Sequence, residues 1–284
     1  MKISEQCLPC LVSQVIKVAN ITGAQDRDSL YRKVFSYMGS LDFSATSPQV
    51  VGNTFRMLKE HTGNPDPYKA LRRKYNEMFL KTAAELDART ESIEDAVKLA
   101  ILGNIVDFGP MHENVEQDAQ ALFEKADSLS LFVDDRAQLV KELESAKSLL
   151  YLGDNCGEIC LDMLLIKRIR ENYPALKIYF AVRGEAIIND NIEEDAYFVG
   201  MDRYAEIISN GGYYPGTELD HAGEDFLSVY KNADIIISKG QGNFESLSER
   251  EENIYFMLMT KCPTIAKRAG TPEKALICRK NRRK

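Results

Sequence analysis

Asp154 and Asn155 stand side by side in Gly153-Asp154-Asn155-Cys156-Gly157-Glu158. The apolar run Leu149-Leu150-Tyr151-Leu152 precedes them, and Ile159, Cys160, Met163, Leu164, Ile166 and Ile169 follow at helical spacing. A carboxylate and an amide where a strand yields to a helix are hard oxygen donors, suited to a divalent cation such as Mg²⁺ or Mn²⁺. The same pair also fits a helix N-cap, which satisfies orphan backbone donors. Two further stretches weigh between these readings. The strand at 177–182 runs into Arg183-Gly184-Glu185-Ala186-Ile187-Ile188-Asn189-Asp190-Asn191, and the strand at 234–238 into Lys239-Gly240-Gln241-Gly242-Asn243. In a parallel sheet all these carboxyl ends share one edge, where ligands bind. That edge gathers Asp154, Asn155, Glu158, Arg183, Asn189, Asp190, Lys239 and Asn243. Carboxylates and amides suit a hard metal; arginine and lysine suit an oxyanion such as phosphate. A metal beside cations, with no Ser-His pair, is the equipment of metal-assisted phosphoryl chemistry.

Each stretch alone has a plainer reading. Arg183-Gly184 fits a solvated turn, and Gly240 with Gly242 a tight turn. Lys239-Gly240-Gln241-Gly242 lacks both the P-loop spacing G-x-x-x-x-G-K-S/T and the dinucleotide pattern G-x-G-x-x-G. Their convergence on one edge favours the functional reading.

The elements that must hold this edge follow from periodicity. Helical patterns cover 8–21, 29–41, 47–58, 67–88, a segment capped by Ser92, 117–125 and 134–145. From 148 onward strands at 149–152, 177–182, 234–238, 254–259 and 275–278 alternate with helices at 157–172, 223–232 and 263–268; 193–201 and 204–208 are ambiguous. The expected fold is α/β: a doubly wound, mainly parallel sheet with an N-terminal all-helical region. Residues 1–147 form the helical region and 148–284 the α/β metal- and phosphate-binding region.

The chain has 284 residues, 44% apolar and 28% charged, an ordinary soluble composition. A net charge of −7 argues against a nucleic-acid partner, and the basic run after Cys278 reads as a solvated tail. No apolar run has the length of a membrane span and Met1-Lys2-Ile3-Ser4-Glu5 starts no signal peptide, so a cytoplasmic protein without membrane contacts is expected. The six cysteines should then be reduced. Cys7-x-x-Cys10 opens the first helix with no second pair at matching spacing; buried thiols are the first reading and redox activity the second. His61, His112 and His221 fit no metal-ligand spacing, and no feature sets the oligomeric state.

Several motifs in order carry a resemblance: Cys7-Leu8-Pro9-Cys10, Thr62-Gly63-Asn64-Pro65-Asp66-Pro67-Tyr68, Gly103-Asn104-Ile105-Val106-Asp107-Phe108-Gly109 and the three strand ends. The chain resembles the damage-control metabolite phosphatases, first catalogued as domain of unknown function 89, and most of all their prokaryotic branch with an N-terminal Cys-x-x-Cys. The resemblance implies helices packed on an α/β domain and a phosphatase using one divalent cation (Mg, Mn, Co or Ni). The substrates it implies are small phosphorylated metabolites, sugar phosphates or damaged compounds among them. It makes Asp154, Asn155 and Asp190 the metal ligands, and places Arg183, Asn189 and Lys239 around the phosphate. Glu158 matches the acidic residue after the metal pair; Asn104 and Asp107 match a motif of the helical region facing the site, and Asn243 belongs to the third strand-end motif.

On this reading Lys239 and Arg183 neutralise the transferred phosphoryl group, and Asp190 or Glu158 orients or deprotonates a water. Direct attack by water is preferred to an aspartyl-phosphate intermediate. The competing enzyme class is an S-adenosylmethionine-dependent carboxyl methyltransferase, which lacks its glycine-rich run here and leaves Lys239 and Asp190 unused. A non-catalytic metal- or ligand-binding module is the third reading.

Overall fold

Strand β2 (Ser148–Leu152) sends alternate side chains into two separate cores. Leu149 and Tyr151 join one; Leu150 and Leu152 join the other. That alternation is what a sheet covered on both faces requires. The computed structural model describes residues 1–104, 123 and 126–281.

The other strands are β1 (Val133–Asp134), β3 (Lys177–Val182), β4 (Glu206–Ser209), β5 (Ile235–Lys239), β6 (Ile254–Met259) and β7 (Leu276–Lys280), in the order β1-β7-β6-β5-β2-β3-β4. All neighbours are parallel except β6 and β7. The α/β, doubly wound, mainly parallel fold is therefore as expected. Because β2 lies between β5 and β3, the chain leaves β2 on one side and returns on the other, which opens a crevice at the carboxyl ends of these strands.

The N-terminal helices are α1 (Leu8–Ile21), α2 (Arg27–Gly39), α3 (Ser47–Thr62), α4 (Lys69–Asp87) and α5 (Ile93–Gly103). Later come α6 (Arg136–Leu143), α7 (Glu158–Asn172), α8 (Glu193–Val199), α9 (Glu224–Asn232), α10 (Gly240–Leu247) and α11 (Pro263–Ala269). Local chemistry sets several starts. Thr46 and Gln49 form a capping box at α3, and the Ser92 side chain accepts from Asp95 N at α5. Helices α4 and α5 share a core with α7, while Val18, Leu30, Phe55 and Leu58 of α1–α3 cluster around Ile187, in the loop after β3. The helical region thus sits on the same sheet edge that carries the polar strand ends.

One expectation is corrected and two open readings are resolved. The region before 147 is not all-helical: Val133 and Asp134 pair with Ile277 and Cys278 of β7. A two-residue edge strand is too short to show alternation. Residues 240–247 are helix rather than a glycine turn, because β5 passes into α10 with Lys239 as the N-cap. The ambiguous 193–201 is mostly helix, capped by Gly200 in a left-handed conformation. The helix expected at 117–125 lies outside the described residues. No helix among the described residues is long and apolar enough to cross a membrane.

Candidate active site

The turn after β2 is stapled to the loop after β3. Asn155 and Asp190 form an antiparallel bridge, Cys156 N donates to Asn189 O at 2.8 Å, and Asn191 N to Asp154 O at 2.8 Å. Gly157 enters α7 at φ 73°, where a Cβ is unfavourable, and its N–H donates to Asn76 Oδ1 at 2.7 Å. Ile188 sits at φ 47°, a costly conformation for a β-branched residue, directly before Asn189 and Asp190.

These turns bring the expected donors together. Asp154 Oδ2 accepts from Asn155 Nδ2 at 2.6 Å and from Asn104 Nδ2 at 3.1 Å. Asp154, Asn155, Asn189 and Asp190 all line one cleft of about 700 Å³. A Cβ at Gly240, itself at φ 76°, would lie 1.8 Å from Asp154 Oδ2, so this glycine is required for the carboxylate to sit where it does. A second cleft of about 710 Å³ lies at the opposite sheet edge, around Asp135, Glu142, Asp234 and Lys280, away from all of these groups.

The two cations expected to face phosphate are engaged elsewhere. Arg183 is buried; its Nε donates to Asp190 Oδ2 at 2.7 Å and its Nη1 to Asn243 Oδ1 at 3.2 Å. Its Nη2 lies 3.5 Å from Asp154 Oδ1. Lys239 is fully buried, with Nζ on Asp162 Oδ1 and 3.6 Å from Glu158 Oε1. Buried carboxylates, which spacing alone did not place, hold both Arg183 and Lys239 in this geometry. Asn243 is likewise spent, donating to Gly153 O at 3.1 Å and Lys239 O at 2.9 Å while accepting from Thr217 Oγ1 at 2.8 Å. Glu158 is fully buried and is linked to Asp154 through Asn104, whose Nδ2 donates to Glu158 Oε2 at 2.8 Å. Asp107 lies outside the described residues.

The electrostatics follow from this crowding. Burial, then the charges of Glu158 and Asp190, push the Asp154 carboxyl well above its ordinary range, against Arg183 and Lys261. Burial raises Asp190 to about 6 despite Arg183, and Asp162 to about 6 despite Lys239. Burial works against the charge of Lys239, but Asp162 and Glu158 leave its pKa above the ordinary lysine value. An excess of buried carboxylate opening on a cleft is an environment that a cation relieves. No trio of His, Cys, Asp and Glu among the described residues is arranged as a metal site. The donor set is instead two carboxylates and an amide, which fits a hard ion that keeps water and substrate oxygens as its remaining ligands.

Two other contributors, Arg72 and Asn76, carried no motif. Arg72 donates to Asp195 at 2.8 Å and to both Asp66 oxygens, at 2.6 and 2.8 Å. Asn76 Nδ2 donates to Asp195 Oδ1 at 3.1 Å while its Oδ1 holds Gly157. The Asn64-Pro65-Asp66 turn thus braces the α7 start through α4. The available signal was two polar residues, Arg72 and Asn76, inside the buried stripe of an amphipathic helix. Cys7 and Cys10 are not buried: Cys7 is half-buried, Cys10 is exposed, and both line the cleft with Cys262.

Residues 3–277 match the family model described as the damage-control phosphatase ARMT1-like domain. The chain is 34% identical over 290 residues to a Pyrococcus horikoshii protein named as a damage-control phosphatase, covering 99% of each. It is 31% identical over 281 residues to an Archaeoglobus fulgidus protein also named as a damage-control phosphatase, covering 95% of this chain and 96% of that one. A crystal structure of a domain-of-unknown-function 89 family protein from P. horikoshii matches with a TM-score of 0.89 at 33% identity, over 99% of this chain and 100% of that one.

Proposed function

Since this chain belongs to the damage-control phosphatase ARMT1-like family, we propose that it is a divalent-metal-dependent phosphatase of small phosphorylated metabolites in the cytoplasm. The observation that carries the metal reading is the meeting of Asp154, Asn155 and Asp190 in one cleft, through the bridge between their turns. The Asp154 and Asp190 carboxylates and the Asn155 amide oxygen would hold the cation. When bound, it polarises a phosphoryl oxygen and lowers the pKa of a coordinated water.

The chain's own residues preorganise those ligands. Arg183 fixes Asp190, and Asn104 ties Asp154 to Glu158. Lys239 balances Glu158 and Asp162 below the cleft. Fixing donors in advance is how such sites stabilise developing charge without reorganisation. The cleft volume of about 700 Å³ suits a small metabolite. The methyltransferase reading finds no support in this arrangement.

The test is phosphate release from a panel of phosphometabolites with Mg²⁺, Mn²⁺, Co²⁺ or Ni²⁺, and with chelator. Metal-dependent release is expected, and its loss in folded Asp154→Ala. Equal release with chelator, or an Asp154→Ala variant as active as the parent at limiting metal, would overturn the proposal.

A further inference from the structure

Three thiols stand on the wall of the cleft, and the hydrolysis proposed above uses none of them. Cys7, Cys10 and Cys262 line it together with Asp154, Asn155 and Asp190. Cys7 is half-buried, forms the N-cap of α1, and has its Sγ 3.5 Å from Ser4 Oγ. Cys10 is exposed and lies in the first turn of the same helix. Cys262 is the N-cap of α11. Thr264 Oγ1 donates to Gln6 Oε1 at 2.8 Å, which ties the start of α11 to the residue before Cys7.

Helix geometry selects the pair that bonds without moving the backbone. Cys7 already has right-handed helical dihedrals, φ −82° and ψ −21°. Residues three apart in a helical turn have Cα atoms about 5 Å apart. A disulfide spans roughly 4.4–6.8 Å between Cα atoms. Each Cβ on a helix tilts toward the N-terminus, so Cys10 leans toward Cys7. Cys262 is a poorer participant: burial pushes its thiol up, and a thiol held neutral is a weak nucleophile. Cys156, Cys160 and Cys278 are buried in the core.

We propose that Cys10 is a site of reversible modification by small disulfides, with Cys7 as the thiol that resolves the adduct. The Cys10 thiolate attacks one sulfur of a low-molecular-weight disulfide, RSSR. The S–S bond of RSSR breaks, a Cys10–S–S–R bond forms, and one RS⁻ leaves. The Cys7 thiolate then attacks Cys10 Sγ, forming the Cys7–Cys10 disulfide and expelling the second RS⁻. Two protein thiols are oxidised, RSSR is reduced to two RSH, and the protons of Cys7 and Cys10 end on those products. Access orders the steps: the exposed thiol meets the reagent first and the half-buried one acts second. The adduct puts the R group on the wall that carries the metal ligands, whereas the internal disulfide adds no atoms there. On the phosphatase reading, the adduct therefore blocks hydrolysis and its resolution clears the cleft.

The test treats the full chain with excess glutathione disulfide, quenches with acid, and reads intact mass and mapped peptides. Parent and Cys262→Ser should each lose two hydrogen atoms and carry a Cys7–Cys10 crosslink. Cys7→Ser should instead accumulate one glutathione on Cys10. Cys10→Ser should react at the wall roughly tenfold more slowly or less, since its remaining thiols are less accessible. In a time course of the parent, the Cys10 adduct should precede the crosslink, a reading that needs no variant to fold. Hydrolysis of a phosphomonoester by Cys7→Ser should fall in step with its adduct and return with dithiothreitol. A crosslink to Cys262, an adduct that maps first to Cys7, or an unmodified Cys7→Ser variant overturns the proposal. Undiminished hydrolysis by fully adducted Cys7→Ser overturns the blocking role. The masses are read whether or not the chain hydrolyses any phosphoester, so failure of the phosphatase reading is seen separately.

Discussion

Arg183 Nε lies 2.7 Å from Asp190 Oδ2, with side-chain exposures of only 2% and 4%. Removing one partner of such a pair strands the other charge, at a cost of about 3–5 kcal/mol. Arg183→Met should therefore lower the thermal midpoint sharply in chelator, before any turnover is considered. Circular dichroism melting checks this. An unchanged midpoint with lost activity would return Arg183 to the role of phosphate ligand.

Lys239 makes the same case deeper in the molecule, since it, Glu158 and Asp162 are all fully buried. Lys239→Met should destabilise the protein by roughly 3–5 kcal/mol. Adding Asp162→Asn, which removes one stranded charge, should recover part of it. Urea denaturation of the single and double variants reads the coupling. A single variant as stable as the parent but with kcat reduced would favour direct contact of Lys239 with substrate.

Gly240→Ala should act on Asp154. The added methyl group would lie 1.8 Å from Oδ2 and demand a backbone of φ 76° from a residue with a side chain. The carboxylate must move, so a higher metal concentration for half-maximal activity is expected, along with a lower melting temperature. Metal titration of activity measures it; parent-like values would show that Asp154 is not confined as described.

Glu142 links α6 to β7 through Lys280. Partial burial works against its charge, but Lys280, Asn253 and Gln138 hold its pKa down to about 2. An unfolded glutamate titrates near about 4.3, so the contribution is complete above that value and lost as pH falls towards 2. Parent and Glu142→Gln should thus differ most in urea stability at pH 6 and by clearly less at pH 3, the gap closing only as pH nears 2. A gap of equal size at both pH values would exclude this linkage.

The Cys7 and Cys10 thiols line the cleft without a role in the proposed chemistry. A Cys7→Ser, Cys10→Ser double variant should keep its kcat. Maleimide labelling of the exposed Cys10 should instead inhibit, by placing bulk on the cleft wall, and Cys10→Ser should escape the inhibition attributable to that site. Loss of kcat in a stable double variant would assign the thiols to the reaction.

Much of the edge was legible. Asp154, Asn155 and Asp190 follow strands whose apolar runs and glycine stops mark the turn, and parallel pairing then brings the turns together. What remained hidden were the partners of the cations. Asp162 lies inside α7 and reads as one more helical residue, yet it determines where Lys239 points. The two-residue β1 was invisible for want of length, and α10 because its glycines mimic a turn.

The contacts that shape the cluster join distant parts of the chain. Asn104 and Asp154 are separated by 50 positions, Arg183 and Asn243 by 60, Asn76 and Gly157 by 81. Closing loops of that span costs entropy that no local contact repays. A chain in which these partners have not met has no such edge to offer a ligand. Any ion or phosphate that binds the finished edge therefore stabilises only the assembled chain, by mass action. Ligand binding is then a report on long-range assembly, distinct from the presence of helix and strand.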